Sequence, residues 1–87
     1  MTRVDAVRAL QVEVVAPERV RWSGRATQVI VPGSDGSQGI LPGRAPLLTT
    51  LAAGEVRVRG LAGRWHAFRV EGGFASVWED TVEVLDC

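Results

Sequence analysis

The residues best suited to chemistry are scarce: 87 residues contain one histidine, His66, and one cysteine, Cys87. A nucleophilic triad needs a base beside its nucleophile. The sole imidazole lies in an alternating segment between Trp65 and Phe68, which reads far better as a partly buried strand residue. Zinc asks for about four Cys, His or carboxylate ligands at set spacings, and one His with one terminal Cys does not supply them. Glu79 and Asp80 could form an acid and base pair, but adjacent residues on a tight turn point apart, and both read as turn formers. Gly33, Gly36, Gly39 and Gly43 have the density of a phosphate loop without its Gly-Lys-Ser/Thr ending or a following helix. No catalytic, cofactor-binding or metal-ligating residue is therefore assigned, and no enzyme is expected.

The unusual feature is apolar surplus. Leu47, Leu48 and Leu51 lie close together, and three tryptophans occur among only five aromatic residues. A Trp buries about 150–250 Å² and is enriched at interfaces. Either the core is well filled, or at least one of Trp22, Trp65 and Trp78 sits at a partner surface. An interaction protein is the class that the residues favour. A generic small β-sandwich or barrel module for peptides or nucleic acid is the alternative, and it would need a basic groove lined by aromatics. A small enzyme built on His66 with Glu71 or Asp80 would need those groups to converge in a pocket.

Composition narrows the field. Ten basic residues, all Arg, balance ten acidic ones, and the two signs are interspersed along the chain; a nucleic-acid binder would cluster its arginines. The length holds one domain. A single Cys at the last position fits a reducing compartment. No apolar run reaches the roughly 18 residues of a membrane span, and Met1 to Ala9 lacks the apolar stretch of a signal peptide.

The elements that must position these residues are strands. Val-rich segments alternate with polar residues between Gly, Pro and Asp punctuation. Leu10, Val12 and Val14 form the inward face of a first strand that Pro17 closes. Arg19 to Trp22 and Thr27 to Val31 read as two more, separated by Ser23-Gly24. Gly33 to Gly43 reads as a structured loop with a brief strand at Ile40-Leu41, a flexible linker being the other reading. Pro46 to Ala53 fits a short strand or a helical turn, and its prolines and threonines favour the strand. Glu55 to Arg59, with Val56 and Val58 inward, turns at Gly60 to Gly63 into Arg64 to Glu71, with His66, Phe68 and Val70 on one face. After Gly72-Gly73 come Phe74 to Trp78, the Glu79-Asp80 turn and a last strand over Val82 to Leu85. The residues count eight to ten strands and give an all-β sandwich or barrel.

The stretch Val31 to Leu51, VPGSDGSQGILPGRAPLLTTL, resembles the segment of F-type ATP synthase epsilon subunits that reads PGxxGxLGIxPGHAPLLTxL. Val12 to Gly24 is similar to that family's opening strands, Val70 to Val77 to its Val-Ser-Gly-Gly-Phe strand, and Val82 to Asp86 to its Thr-Val-Leu-Ala-Asp ending. Met1 to Ala9 is unmatched and is expected to be a short or poorly ordered extension to a sandwich domain over residues 10–87.

The resemblance implies a flattened two-sheet β-sandwich of about ten short strands, a non-catalytic rotor subunit without cofactors at the foot of the central stalk. It implies docking on the gamma subunit and the c-ring, no nucleic-acid partner, and a peripheral position on the cytoplasmic face of a bacterial membrane. The c-ring contact would fall on Ser34, Asp35, Gly36, Ser37 and Gln38, and the gamma contact on Arg44, Ala45, Pro46, Leu47 and Leu48. Ser37-Gln38 stands where the family has Glu-Leu, and Arg44 where it has His, so that Arg44 would meet a gamma carboxylate. Most bacterial relatives continue into an inhibitory helical hairpin, whereas this chain stops at Cys87; coupling without regulation is the expectation. An exposed apolar patch centred on the Pro46 to Leu51 region, alone or with a Trp, is expected in the isolated chain.

Overall fold

A computed structural model describes residues 8–87, and among them every regular element is a strand. The eight strands are β1 (Leu10–Ala16), β2 (Arg19–Gly33), β3 (Gly36–Ile40), β4 (Leu47–Thr50), β5 (Gly54–Gly60), β6 (Trp65–Val70), β7 (Phe74–Trp78) and β8 (Thr81–Leu85). Hydrogen bonding runs in the order β4-β7-β8-β1-β2-β5-β6, with β3 on β2. All pairings are antiparallel except that of β1 with β8.

The two central segments expected as separate strands are one 15-residue strand, β2. Its first half pairs with β1, from Ala26 back to Arg19, and its second half lies between β3 and β5. Burial changes parity within it: Ala26 is buried, then Val29 and Val31. An irregularity against β5 between Ala26 and Gln28 absorbs that step, since one extra residue flips every following side chain to the other face. At this strand the continuous ladder doubles over into two layers, β4-β7-β8-β1-β2 and β2-β5-β6 with β3. Contacts from β2 across the layers confirm the doubling: Trp22 meets His66 at 5.5 Å between ring centroids, and the Arg21 guanidinium lies 5.6 Å from the Phe68 ring.

One core fills the space between the layers. Leu10, Val12, Val14, Val29, Val31 and Ile40 meet Val56, Val58, Val70, Val77, Val82 and Val84, with Trp22, Leu47 and Phe68 packed on the margin. β-branched side chains suit this role because they fit a pleated surface with little rotamer entropy to lose. On the far side the layers are tied together by backbone. Gly33 and Leu51 form an antiparallel bridge, Ser34 N–H donates to Thr50 O at 2.9 Å, and Ala52 N–H donates to Pro32 O at 2.8 Å.

The resemblance implied about ten strands; eight are present among the described residues, with Arg19 to Val31 one strand where two were expected. The brief strand expected at Ile40-Leu41 is the longer β3, which ends at Ile40 and leaves Leu41 exposed. The expectation for the first residues falls, for residues 1–7, outside the described part of the chain.

Candidate docking surface

β4 alternates half-buried and exposed, and its alternation divides the leucine cluster. Leu47 and Thr49 face inward, with Leu47 against the core, while Leu48 is 72 % exposed and Leu51 only 6 % exposed. Of the apolar patch expected around Pro46 to Leu51, Leu48 is exposed, whereas Leu51 is core and Leu47 is at the core margin. The exposed patch spans β4 and β7. Leu48 stands opposite Ser76, so Phe74 and Trp78, two residues either side of Ser76, are its diagonal neighbours on the same face. Trp78 is 62 % exposed and Phe74 45 %.

Crossing this outer face from strand to strand, the partners of Ser76 continue to Glu83 on β8 and Glu13 on β1. Two carboxylates stand side by side in the ladder, an arrangement that destabilises an isolated sheet. Neither has an ion-pair partner among the described residues. An apolar stripe bordered by acid is the result.

The two expected contact segments lie side by side. Ser34 and Asp35 make the β2–β3 turn, followed by Gly36 at φ +132°, and Gly36, Ser37 and Gln38 belong to β3. Gly36 has open space where a Cβ would sit, so its backbone conformation, not crowding, is what glycine supplies there. Arg44, Ala45 and Pro46 follow in an exposed loop. Arg44 Nη2 donates to Gln38 Oε1 at 3.3 Å, so within this chain the Arg44 side chain is aimed at the neighbouring segment. Thr50 Oγ1 and Ser34 Oγ, 2.9 Å apart, tie β4 to the β2–β3 turn.

Asp80 fixes the loop from the other side. The Glu79-Asp80 turn has both residues at positive φ, 46° and 60°, the geometry of a tight hairpin. Asp80 Oδ1 accepts the Gly43 N–H at 2.7 Å and Oδ2 lies 3.4 Å from Arg8. Sequence reasoning read Asp80 as a turn former and, in the enzyme alternative, as a partner of His66; its reach to Gly43 spans 37 positions, and no local pattern announces it. A second clasp was missed in the same way. Arg21 donates to Arg69 O at 2.6 Å and lies 3.5 Å from Asp86, which also accepts the Glu71 N–H at 2.9 Å.

His66 faces Trp22 within a shallow cleft, and neither Glu71 nor Asp80 lines it. Among the described residues no group of three or more His, Cys, Asp or Glu side chains could hold a metal ion. No described helix is long and apolar enough to cross a membrane.

The chain is thus a small all-β domain with an exposed apolar and acidic sheet face and two clasped loops beside it. Residues 9–86 match the family described as ATP synthase, Delta/Epsilon chain, beta-sandwich domain, and the chain belongs to that family. It is similar to the ATP synthase epsilon chain of Rippkaea orientalis, 46 % identical over 77 residues, a match covering 88 % of this chain and 56 % of that one. The Synechococcus elongatus epsilon chain is 48 % identical with the same coverages, and the chloroplastic epsilon chain of Galdieria sulphuraria is 45 % identical over 87 % of this chain and 54 % of its own. The chain thus spans little more than half the length of these relatives. A chain in the Euglena gracilis mitochondrial ATP synthase structure, described as OSCP/F1/c-ring, shares the fold at a TM-score of 0.86 and 17 % identity, covering 98 % of this chain and 54 % of that chain.

Proposed function

We propose that this chain is the β-sandwich of a central-stalk rotor subunit of an F-type ATP synthase, docking on the gamma subunit and the c-ring to couple proton-driven rotation to ATP synthesis. The observation that carries this reading is the exposed stripe of Leu48, Phe74 and Trp78 on β4 and β7. It supplies the apolar centre that a stable interface desolvates, and the Glu13 and Glu83 carboxylates beside it select a partner with basic groups. The gamma contact therefore comprises Leu48 with Phe74 and Trp78, framed by Arg44, Ala45 and Pro46, while Leu47 supports it from the core side. Ser34 to Gln38, braced by Arg44, present the polar contact to the c-ring.

The role is mechanical and non-catalytic. One elementary charge crossing 100 mV supplies about 2.3 kcal/mol, so the rotor contacts must hold against repeated steps of that order. An interface of about 800 Å² per partner is sufficient. The position that follows is peripheral, on the cytoplasmic face of the bacterial membrane.

Co-purification with gamma tests the reading. Leu48→Asp is expected to abolish capture of gamma while the chain stays folded. Capture unchanged by both Leu48→Asp and Trp78→Asp would overturn the assignment of this face.

A further inference from the structure

Charge is unevenly shared among the elements of the fold. β2, β5, β6 and the turn between the last two carry seven arginines against one carboxylate, Glu55; the other described residues carry two arginines, Arg8 and Arg44, against eight carboxylates. Within the basic wing most guanidiniums are occupied. Arg57 lies 3.9 Å from Glu55 and 5.8 Å from the Trp65 ring, Arg59 lies 6.0 Å from the same ring, and Arg69 is 3.3 Å from Glu71.

Arg25 and Arg64 differ, as does Arg19, which lies outside the cleft that the other two line. Neither Arg25 nor Arg64 has a carboxylate or a hydrogen-bond acceptor among the described residues, and both line one cleft between the layers, of about 570 Å³. Trp22 and His66, with rings 5.5 Å apart and tilted by 40°, line it too. The Trp22 indole passes over Gly24, where a Cβ would come within 3.3 Å of the ring. Gly60 and Leu61 form the lip, in a turn closed by Gly60 N–H to Arg64 O and Gly63 N–H to Gly60 O, each 2.9 Å. No acidic residue lines the cleft.

We infer that this cleft is a binding site for a phosphate group, carried by a soluble phosphorylated molecule or by a phospholipid headgroup. The guanidinium fork matches phosphate oxygens in pairs. Arg25 comes from β2 and Arg64 from the β5–β6 turn; Ala26, beside Arg25, pairs with Gly60, so both arginines border the same cleft. An imidazole adds a further polar group, and the indole supplies a flat apolar wall for whatever the phosphate is attached to. The site lies on the basic wing and is independent of the apolar stripe assigned to gamma.

The test uses the full chain at low ionic strength, titrated with sodium pyrophosphate and followed by ¹H–¹⁵N spectra, and in parallel sedimented with phosphatidylcholine vesicles with and without phosphatidylglycerol. Saturable shifts at the Trp22 indole N–H and the amides of residues 60–66 are expected, weakened roughly tenfold to a hundredfold by Arg64→Ala or Arg25→Ala. Arg57→Ala, outside the cleft, should change affinity by less than about threefold, the scale of an exposed charge. Pyrophosphate binding without vesicle binding identifies a soluble ligand, and vesicle binding that depends on Arg25 and Arg64 identifies a headgroup. Absence of both, or equal loss with Arg57→Ala, overturns the site.

Discussion

At the residue scale, several side chains do more than their local sequence announces. Gly73 has φ +99°, and a Cβ there would overlap the Leu85 carbonyl oxygen. Because the obstacle is backbone, no side chain can swing away. Gly73→Ala is expected to cost about 4 kcal/mol or more, the range reserved for severe defects, and a urea titration measures it. Gly36→Ala, also at positive φ but in open space, should cost only the conformational penalty of about 1–2 kcal/mol. Asp86 provides a second case, since its side chain is only 10 % exposed and its Arg21 partner 22 %. Asp86→Ala strands the Glu71 N–H and removes the acceptor facing Arg21. A loss of about 1–3 kcal/mol is expected, read as a melting temperature lower by about 4–8 °C per kcal/mol. An unchanged melting temperature would show the clasp to be decorative. Gln38 and Arg44, two of the three positions that depart from the family's motif, hydrogen-bond to each other. Arg44 therefore braces the two contact segments within the chain, with its remaining N–H donors left for a carboxylate of gamma.

At the scale of elements, the strands were legible because most have one buried face. The alternation of β1, β5 and β8 transmits directly into their burial patterns. The continuity of β2 was not legible, because Ser23-Gly24 reads as a stop by composition. In the fold, Gly24 at φ +158° is extended and the ladder with β1 runs through it. The division of Leu47, Leu48 and Leu51 was illegible for a related reason. Three leucines in five positions fit either face until the pairing of β4 with β7 fixes which one looks inward. Glu13 and Glu83 could not be seen as neighbours at all, since β1 and β8 are opposite ends of the chain joined by a parallel pairing. That pairing makes a prediction of its own. Glu83→Gln removes a like-charge contact, so the isolated domain should gain a few tenths of a kcal/mol while its affinity for gamma falls. Loss of stability on this substitution would mean that Glu83 has a structural partner in the isolated chain.

At the scale of the whole molecule, zero formal net charge conceals two oppositely charged wings. The sequence already gathers Arg57, Arg59, Arg64 and Arg69 into the β5–β6 hairpin and places no Arg after it, and the pairing of β2 with β5 brings Arg19, Arg21 and Arg25 to the same side. The consequence concerns approach to partners. A net-neutral protein feels little force at long range, but one with separated charges is oriented as it nears another charged body, within about one Debye length, 8–10 Å at physiological salt. The acidic face around Leu48, Phe74 and Trp78 would then turn toward basic groups on gamma, while the basic wing turns away. Steering of this kind acts on the association rate more than on the lifetime of the complex. The association rate with gamma, measured by stopped flow, is therefore expected to fall severalfold between low and physiological salt, with the dissociation rate nearly constant. Glu13→Gln combined with Glu83→Gln should flatten that salt dependence, whereas Leu48→Ala, which removes desolvated area and no charge, should act on dissociation alone. An association rate indifferent to salt would leave the charge separation without a part in docking.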